Sequence, residues 1–465
     1  MKFSVDTADT KYDNDEIECG DMPDLTVTAK VKLDLNKFTA RTKFRNKFYY
    51  SKLRTVARIP HCRNGRELLL GLIKRNMDAP LNIVSNRREK LINKTLKKFL
   101  NTFCRKNLDV ELMTYIENPV SIVQTALTLF METKDPNYIR SIANNPVDIT
   151  ELDPARYNLM PRVDLKTKVE DIDHYDKIQT VVYQERQFNA IFGSIFNVIK
   201  KRLKSILLPN VAYTDGMSFS EVQDFIRRHE DSRKSYYLEN DFSSYDKTQT
   251  DTTFQIEYAL WRTLGVDPGL LQYWIDGHID TYVVSSTLGV RIMLQYQRKS
   301  GDVTTSLGNT VVNMMTVCAV YDVIMFKYAV FSGDDSLIAL TFAPSHRDVA
   351  PIFIKDFNLS AKMLVFTTHG YFLSHFIFKN HDQSYFIYDP YKMLIKIGRP
   401  LVNLDVLPEL FTSYGDTVKA YDNVSTNEHL MLVANERYAR NLNLQLPSYI
   451  FSLFSEYTHF SKLYL

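Results

Sequence analysis

KYAVFSGDDSLIAL, residues 327–340, is the stretch on which the reading of this chain turns. Two short apolar runs flank Gly333-Asp334-Asp335, a spacing that predicts a β-hairpin with the acids at its turn. Gly and Asp favour turns on their own account. By average composition the triplet arises by chance in roughly one chain in ten of this length. A solvated acidic turn therefore explains it when it is taken alone.

Two further segments change the weight. Upstream, SYYLENDFSSYD (235–246) predicts a strand that ends on Asp241 and a polar turn that carries Asp246. Paired strands lie about 4.8 Å apart, so Asp241 and Asp334 on neighbouring strands suit two divalent ions about 3.5–4 Å from each other. Hard cations such as Mg²⁺ take carboxylate oxygens and keep waters and substrate phosphates in their other positions. Such a pair activates an attacking hydroxyl and stabilises a leaving pyrophosphate. Between the two acidic segments lies Ser300-Gly301-Asp302-Val303-Thr304-Thr305-Ser306-Leu307-Gly308-Asn309, a turn that leads into a helix. Thr305 and Asn309, at i and i+4, share one face of that helix. Its N–H-rich start offers a surface that a nucleotide or template can approach closely. A cap followed by a small-residue packing face is the plainer explanation of this segment alone.

Composition sets the bounds. The chain has 465 residues, 45% hydrophobic and 24% charged, with a net charge of +3 and a sequence pI of about 8.4. Those values fit a globular protein with a large core and do not by themselves indicate nucleic acid. Basic residues do cluster in 37–54, 87–99 and 200–205, which tilts the reading toward a polyanion. Cys19, Cys62, Cys104 and Cys318 are scattered without a CxxC pair, which argues against structural zinc and for a reduced setting. No run reaches the ~18 apolar residues of a membrane span, and the acidic start does not resemble a signal peptide. Around the acidic segments, apolar periodicity predicts helices over 66–145 and 185–230, and a helix over 251–265 closed by Gly265. The turn-rich stretch 144–161 reads as a connection, 281–296 as a β-ribbon, and 303–325 as a buried helix. The first 35 or so residues read as an arm or edge strand. The class is α+β.

Taken in order, Asp-x4-Asp, Ser-Gly-x3-Thr-x3-Asn and Ser-Gly-Asp-Asp resemble motifs A, B and C of viral RNA-dependent RNA polymerases. The likeness extends outward. PheAsnLeuSerAlaLys (357–362) resembles motif D, TyrPheLeuSerHisPhe (371–376) motif E, and MetProArgValAspLeuLysThrLysVal (160–169) the basic motif F. LLGLIKRNMDAP (69–80) is similar to an upstream fingers element, and the nearest texture is that of virga-, bromo- and kitavirus-like replicases of the alphavirus-like superfamily. Tyr245, Pro161 and Ser360 depart from residues common in those relatives.

The resemblance implies roles. Asp241, Asp334 and Asp335 would hold Mg²⁺, with Mn²⁺ able to substitute, and Lys362 would protonate the pyrophosphate. Asp246 and Asn309 would recognise the ribose 2′-hydroxyl, and Ser300 and Thr305 would help hold that nucleotide-binding network and the template-side turn. Arg162, Lys166 and Lys168 would neutralise the triphosphate, while Lys74, Arg75 and Gly301 would meet RNA. The implied fold is a right hand with an antiparallel palm sheet and mostly helical fingers and thumb. Its parts would be an N-terminal arm and fingers (1–235), palm (236–264), a fingers insertion (265–299), palm again (300–380) and thumb (381–465). The partners would be template and nascent RNA, ribonucleoside triphosphates, and viral capping and helicase domains. The setting would be the host cytoplasm, at membranes reached through those partners. A DNA-synthesising relative and a non-catalytic RNA-binding protein stand as rivals; Asn309 with Asp246 argues against the first and the intact acids against the second.

Overall fold

The computed structural model describes residues 31–38, 48–57, 65–77, 88–122, 124–144, 149–162, 169, 178–321, 326–344, 348–380, 383–439 and 444–465. Among these, the strands in chain order are β1 (Val31–Leu33), β2 (Arg156–Arg162), β3 (Gln179–Tyr183), β4 (Val211–Tyr213), β5 (Tyr236–Ser243), β6 (Asp280–Ser285) and β7 (Val290–Gln295). They continue with β8 (Phe326–Ser332), β9 (Asp335–Leu340), β10 (Ser360–Phe366), β11 (His369–Phe372), β12 (His375–Asn380) and β13 (Gln383–Tyr388).

The hairpin forms where the sequence predicts it. β8 and β9 pair antiparallel around Gly333 and Asp334, with Ser332 opposite Asp335, and Gly333 takes φ +61°. That backbone conformation is open to glycine at no steric cost. The hairpin sits in a five-stranded sheet of order β10-β5-β9-β8-β4. Pairing is antiparallel across four of its strands; the short edge strand β4 joins β8 in parallel.

The two faces of this sheet bury different clusters. Leu238, Phe242, Phe331 and Ile338 pack with the helices Arg88–Phe103, Arg186–Ile206, Asp251–Thr263 and Thr305–Val320. From Leu307 to Cys318 the last of these helices is buried all round, which explains why its sequence shows no polar stripe. On the other face Tyr237, Leu337 and Ala339 meet Phe372, Ile377 and Phe386 from a second sheet, β11-β12-β13. Burying both faces favours the continuous apolar runs seen in β8 and β9.

A third sheet, β1-β7-β6-β2-β3, gathers the predicted ribbon 281–296 with strands from the N-terminal half. Here the stretch 144–161 departs from its reading as a connection. Arg156–Arg162 is a strand, with Tyr157 and Leu159 buried. Pro161 hid it, yet proline is tolerated because β6 pairs only Arg156–Asn158 and leaves the far end of β2 with one neighbour. The segment after 380, expected to be mostly helical, begins with a strand, β13, and continues in helices. Those helices dock through a buried pair: Arg437 Nη1 donates to Glu239 Oε2 on β5 at 2.8 Å and stacks 3.9 Å over the Tyr371 ring. Among the described residues no helix is long and apolar enough to cross a membrane.

Candidate active site

Strand register places the acids. β5 and β9 pair out to Asn240 with Ser336, so Asp241 and Asp335 are the next residues outward on adjacent strands. On the other side Lys362 of β10 is the register partner of Asp241. Residues opposite one another in a sheet share a face, so Lys362, Asp241 and Asp335 lie side by side, all exposed. Asp334 occupies the hairpin tip and is also exposed.

The tip is held from below. Gly333 N donates to Thr310 Oγ1 at 2.7 Å, and Asn313 Nδ2 donates to the carbonyls of Gly333 and Asp334 at 3.2 and 3.0 Å. Both partners lie one helical turn and less beyond Asn309. Neither was singled out in the sequence, though their i and i+3 placement after Asn309 on a buried helix was the available signal.

Asp246 and Asn309 meet: Asn309 Nδ2 donates to Asp246 Oδ1 at 2.8 Å. Burial pushes the Asp246 carboxyl up from its ordinary value, the bond from Asn309 opposes that, and the Asp334 charge adds to it. Asp334 is thus close enough for its charge to be felt at the Asp246–Asn309 pair. Arg75 acts on the same carboxyl in the opposite direction. Lys74 and Arg75 are exposed on a wide helical turn, Ile73–Met77. Its buried Asn76 accepts from Thr180 Oγ1 at 3.1 Å and, through its carbonyl, from Gln297 Nε2 at 2.8 Å. Those two bonds fix the turn that presents Arg75.

Ser300 and Thr305 do not reach the Asp246–Asn309 pair. Ser300 Oγ donates to the Thr180 carbonyl at 2.9 Å, and Thr305 Oγ1 to the Lys299 carbonyl at 2.6 Å. They tie the 296–305 turn to β3 and to itself. Gly301 belongs to that tie: its N–H donates to the Val182 carbonyl at 2.8 Å, and a Cβ there would lie 2.9 Å from Tyr183 Cβ. Close packing on β3 is what demands glycine. Arg162 ends β2, exposed and opposite Gln179; Lys166 and Lys168 lie outside the described residues.

The donor set suits a hard cation. Asp241, Asp334 and Asp335 are carboxylates at one edge, without sulfur or imidazole among them. Among the described residues no three acidic, cysteine or histidine side chains are grouped so as to hold a metal ion by themselves. Mg²⁺ commonly needs only one or two carboxylates, since waters and substrate phosphates complete its shell.

The family model for RNA-dependent RNA polymerase matches residues 22–463. The chain is similar to the replicase large subunit of Turnip vein-clearing virus, 28% identical over 394 residues, 83% of this chain and 24% of that protein. It is likewise similar to the replicase large subunits of Sunn-hemp mosaic virus, 29% identical over 401 residues (84% and 24%), and of Tobacco mosaic virus strain vulgare, 29% over 376 residues (79% and 22%). The chain spans about a quarter of the length of these relatives.

Proposed function

The chain belongs to the RNA-dependent RNA polymerase family, and from that premise we propose that it extends an RNA strand on an RNA template from ribonucleoside triphosphates, releasing pyrophosphate, in the replication of a positive-strand virus. The observation that carries this reading is a single helix, Thr305–Val320. Its Asn309 grips Asp246 while its Thr310 and Asn313 grip the Gly333-Asp334 turn. One rigid element thereby links the group that would examine the sugar to the acid that would serve the phosphates.

In this reading Asp241, Asp334 and Asp335 would hold Mg²⁺, or Mn²⁺ in its place. When bound, such ions lower the pKa of the attacking 3′-hydroxyl and stabilise the leaving pyrophosphate. The protein's own groups do the rest. Asp246 accepts and Asn309 donates at the 2′-hydroxyl, a pairing a deoxyribose cannot satisfy. Lys362, beside Asp241, is positioned to hand a proton to the departing pyrophosphate. Arg162, Lys166 and Lys168 neutralise the triphosphate, and Lys74, Arg75 and the turn at Gly301 meet the RNA. The right-hand layout follows, with palm at 236–264 and 300–380, fingers at 1–235 and 265–299, and thumb at 381–465. The Arg437–Glu239 pair supports a thumb seated on the palm. The chain would act beside capping and helicase domains, in the host cytoplasm on membranes reached through them.

The test is labelled ribonucleotide incorporation on a short RNA template with Mg²⁺, in wild type, Asp334→Ala and Asn309→Ala, with deoxynucleotide competition. Template-dependent product from wild type and none from Asp334→Ala is the expected result. Equal product from both would overturn the assignment.

A further inference from the structure

Asn309 carries an amide, and an amide can present either end to a carboxylate. Only its NH₂ end binds Asp246; its oxygen would repel it. A chain of one-way hydrogen bonds running back into the core decides which end is shown. Gln249 Nε2 donates to Asn309 Oδ1 at 2.7 Å. Gln249 Oε1 in turn accepts from Arg298 Nε at 3.1 Å and Nη2 at 2.9 Å. Arg298 Nη2 lies 2.6 Å from both oxygens of Glu257. A guanidinium has donors and no acceptor, so Gln249 must turn its oxygen to Arg298. Its NH₂ then faces Asn309, which must offer its own oxygen there and its own NH₂ to Asp246. The order is fixed from the charged end outward.

Every member is out of water: Gln249 and Arg298 are 1% exposed, Glu257 0% and Asn309 7%. A buried ion pair is a poor source of stability compared with apolar packing, and its best-attested use is to specify one arrangement over another. Burial works against the Arg298 charge, and the Glu257 carboxylate overrides it, holding the guanidinium above its ordinary value. Arg298 also grips the sugar-side residue directly, since its backbone N–H donates to the Asp246 carbonyl at 2.9 Å. Tyr245 Oη donates to the Asn309 carbonyl at 3.0 Å, so the backbone of Asn309 is held as well. The remaining freedom at Asn309 is the sense of its amide.

We propose that the buried Glu257–Arg298 pair, acting through Gln249, sets the sense of the Asn309 amide and thereby the preference for ribose over deoxyribose. Gln249 and Arg298 are positioning residues for this purpose; neither touches the Asp246 carboxylate through its own side chain in the bonds described. The inference rests on the reading of Asp246 and Asn309 as the sugar check.

Two substitutions at one position separate sense from support. Gln249→Glu keeps the shape and can still accept from Arg298, but it cannot donate to Asn309, whose amide must turn its oxygen toward Asp246. Gln249→Met removes every polar contact and leaves the amide free to settle on Asp246 by itself. Ribonucleotide and deoxyribonucleotide incorporation are measured on an RNA template with the full chain, as kcat/KM for each, in wild type, both variants and Asn309→Ala. The ribose-to-deoxyribose ratio should fall by about tenfold or more in Gln249→Glu and by less in Gln249→Met. A merely structural role predicts the opposite order, or equal losses on both substrates, and either result overturns the inference. If Gln249→Glu does not fold, the Gln249→Met ratio decides: a ratio lowered as far as in Asn309→Ala overturns the inference, and a ratio between that and wild type supports it. If Asn309→Ala collapses the ratio while Gln249→Glu leaves it intact, only this inference falls. If Asn309→Ala leaves the ratio intact, or wild type shows no ribose preference, the sugar-check reading falls with it.

Discussion

Gly308→Ala should destabilise the protein although it improves a helix. The residue lies in the Thr305–Val320 helix, where replacing glycine ordinarily gains about 1 kcal/mol. A Cβ at this position would sit 2.0 Å from Glu257 Oε1 and 2.8 Å from Arg298 Nη1. The carboxylate would have to retreat by more than about 1 Å to reach ordinary contact. Both side chains are 0% exposed, so no water waits to receive either charge. Separating the partners of a buried pair costs about 3–5 kcal/mol, which leaves a net loss of about 2–4 kcal/mol after the helix gain. Gly415 supplies the control. It too is helical, but a Cβ there would meet only Phe454 Cδ1, at 3.9 Å. Gly415→Ala should therefore stabilise by up to about 1 kcal/mol. Urea unfolding of both variants, compared through midpoints at unchanged m-value, reads the difference. If Gly308→Ala proved as stabilising as Gly415→Ala, the ion pair could not be packed against this helix as described, and the argument that it is locked in place would fail.

Three further outcomes follow from the same geometry. Asn313→Ala should cost about 1 kcal/mol of stability, because the two carbonyls it releases lie at a partly exposed turn that water can reach. On the proposed function the polymerase rate should fall more steeply than Asp334 backbone contacts alone suggest, by about tenfold or more, since small misplacements at a reacting centre are expensive; an unchanged rate would show that the tip holds itself. Arg437→Met should destabilise more at pH 8 than at pH 5. Burial raises the Glu239 carboxyl to about 7 against the pull of Arg437, so stability from its protonated form is present below the ordinary value near 4.5 and lost as pH rises through 7. Equal losses at the two pH values in unfolding experiments would contradict that. His369→Phe should flatten the acid limb of the stability profile. Burial, with Arg437 adding to it, lowers His369 to about 3, so the wild type loses stability on acidification from about 6.5 toward 3, by up to roughly 1.4 kcal/mol per pH unit. Parallel profiles for wild type and variant would sink the idea.

The hairpin was legible because its turn has few solutions: Gly333 must adopt a positive φ, and glycine between two apolar runs announces that. Asp246 and Asn309 were legible through their separate neighbourhoods, and the structure joins them at 2.8 Å. Strand β2 was not, since its turn-forming approach and Pro161 outweighed the alternation of Tyr157 and Leu159. The relay behind Asn309 was also missed. Arg298 stands 49 residues from Gln249 and 41 from Glu257, and each alone is an ordinary polar residue. One clue was present: Glu257 falls on the apolar stripe of its helix with Phe254, Leu260 and Trp261, all buried. A charge on a core face needs a partner, and that need was readable before the partner was. Of the two parts given to Ser300 and Thr305, their bonds serve the turn, and a motif cannot tell a residue that touches a ligand from one that ties the loop beneath it.

The sheet order carries a consequence for the protein's birth. β5, the strand of Asp241, ends at Ser243, but its neighbours β9 and β10 begin only at Asp335 and Ser360. On a ribosome adding 5–20 residues per second, β5 would wait roughly 5–20 s, about ninety residues of synthesis, for its first partner. Throughout that interval both its edges stand open to other chains. The strand that carries Asp241 is therefore the nascent chain's sticky segment. Yield on expression should depend on chaperone supply and elongation speed more than the stability of the finished fold would suggest.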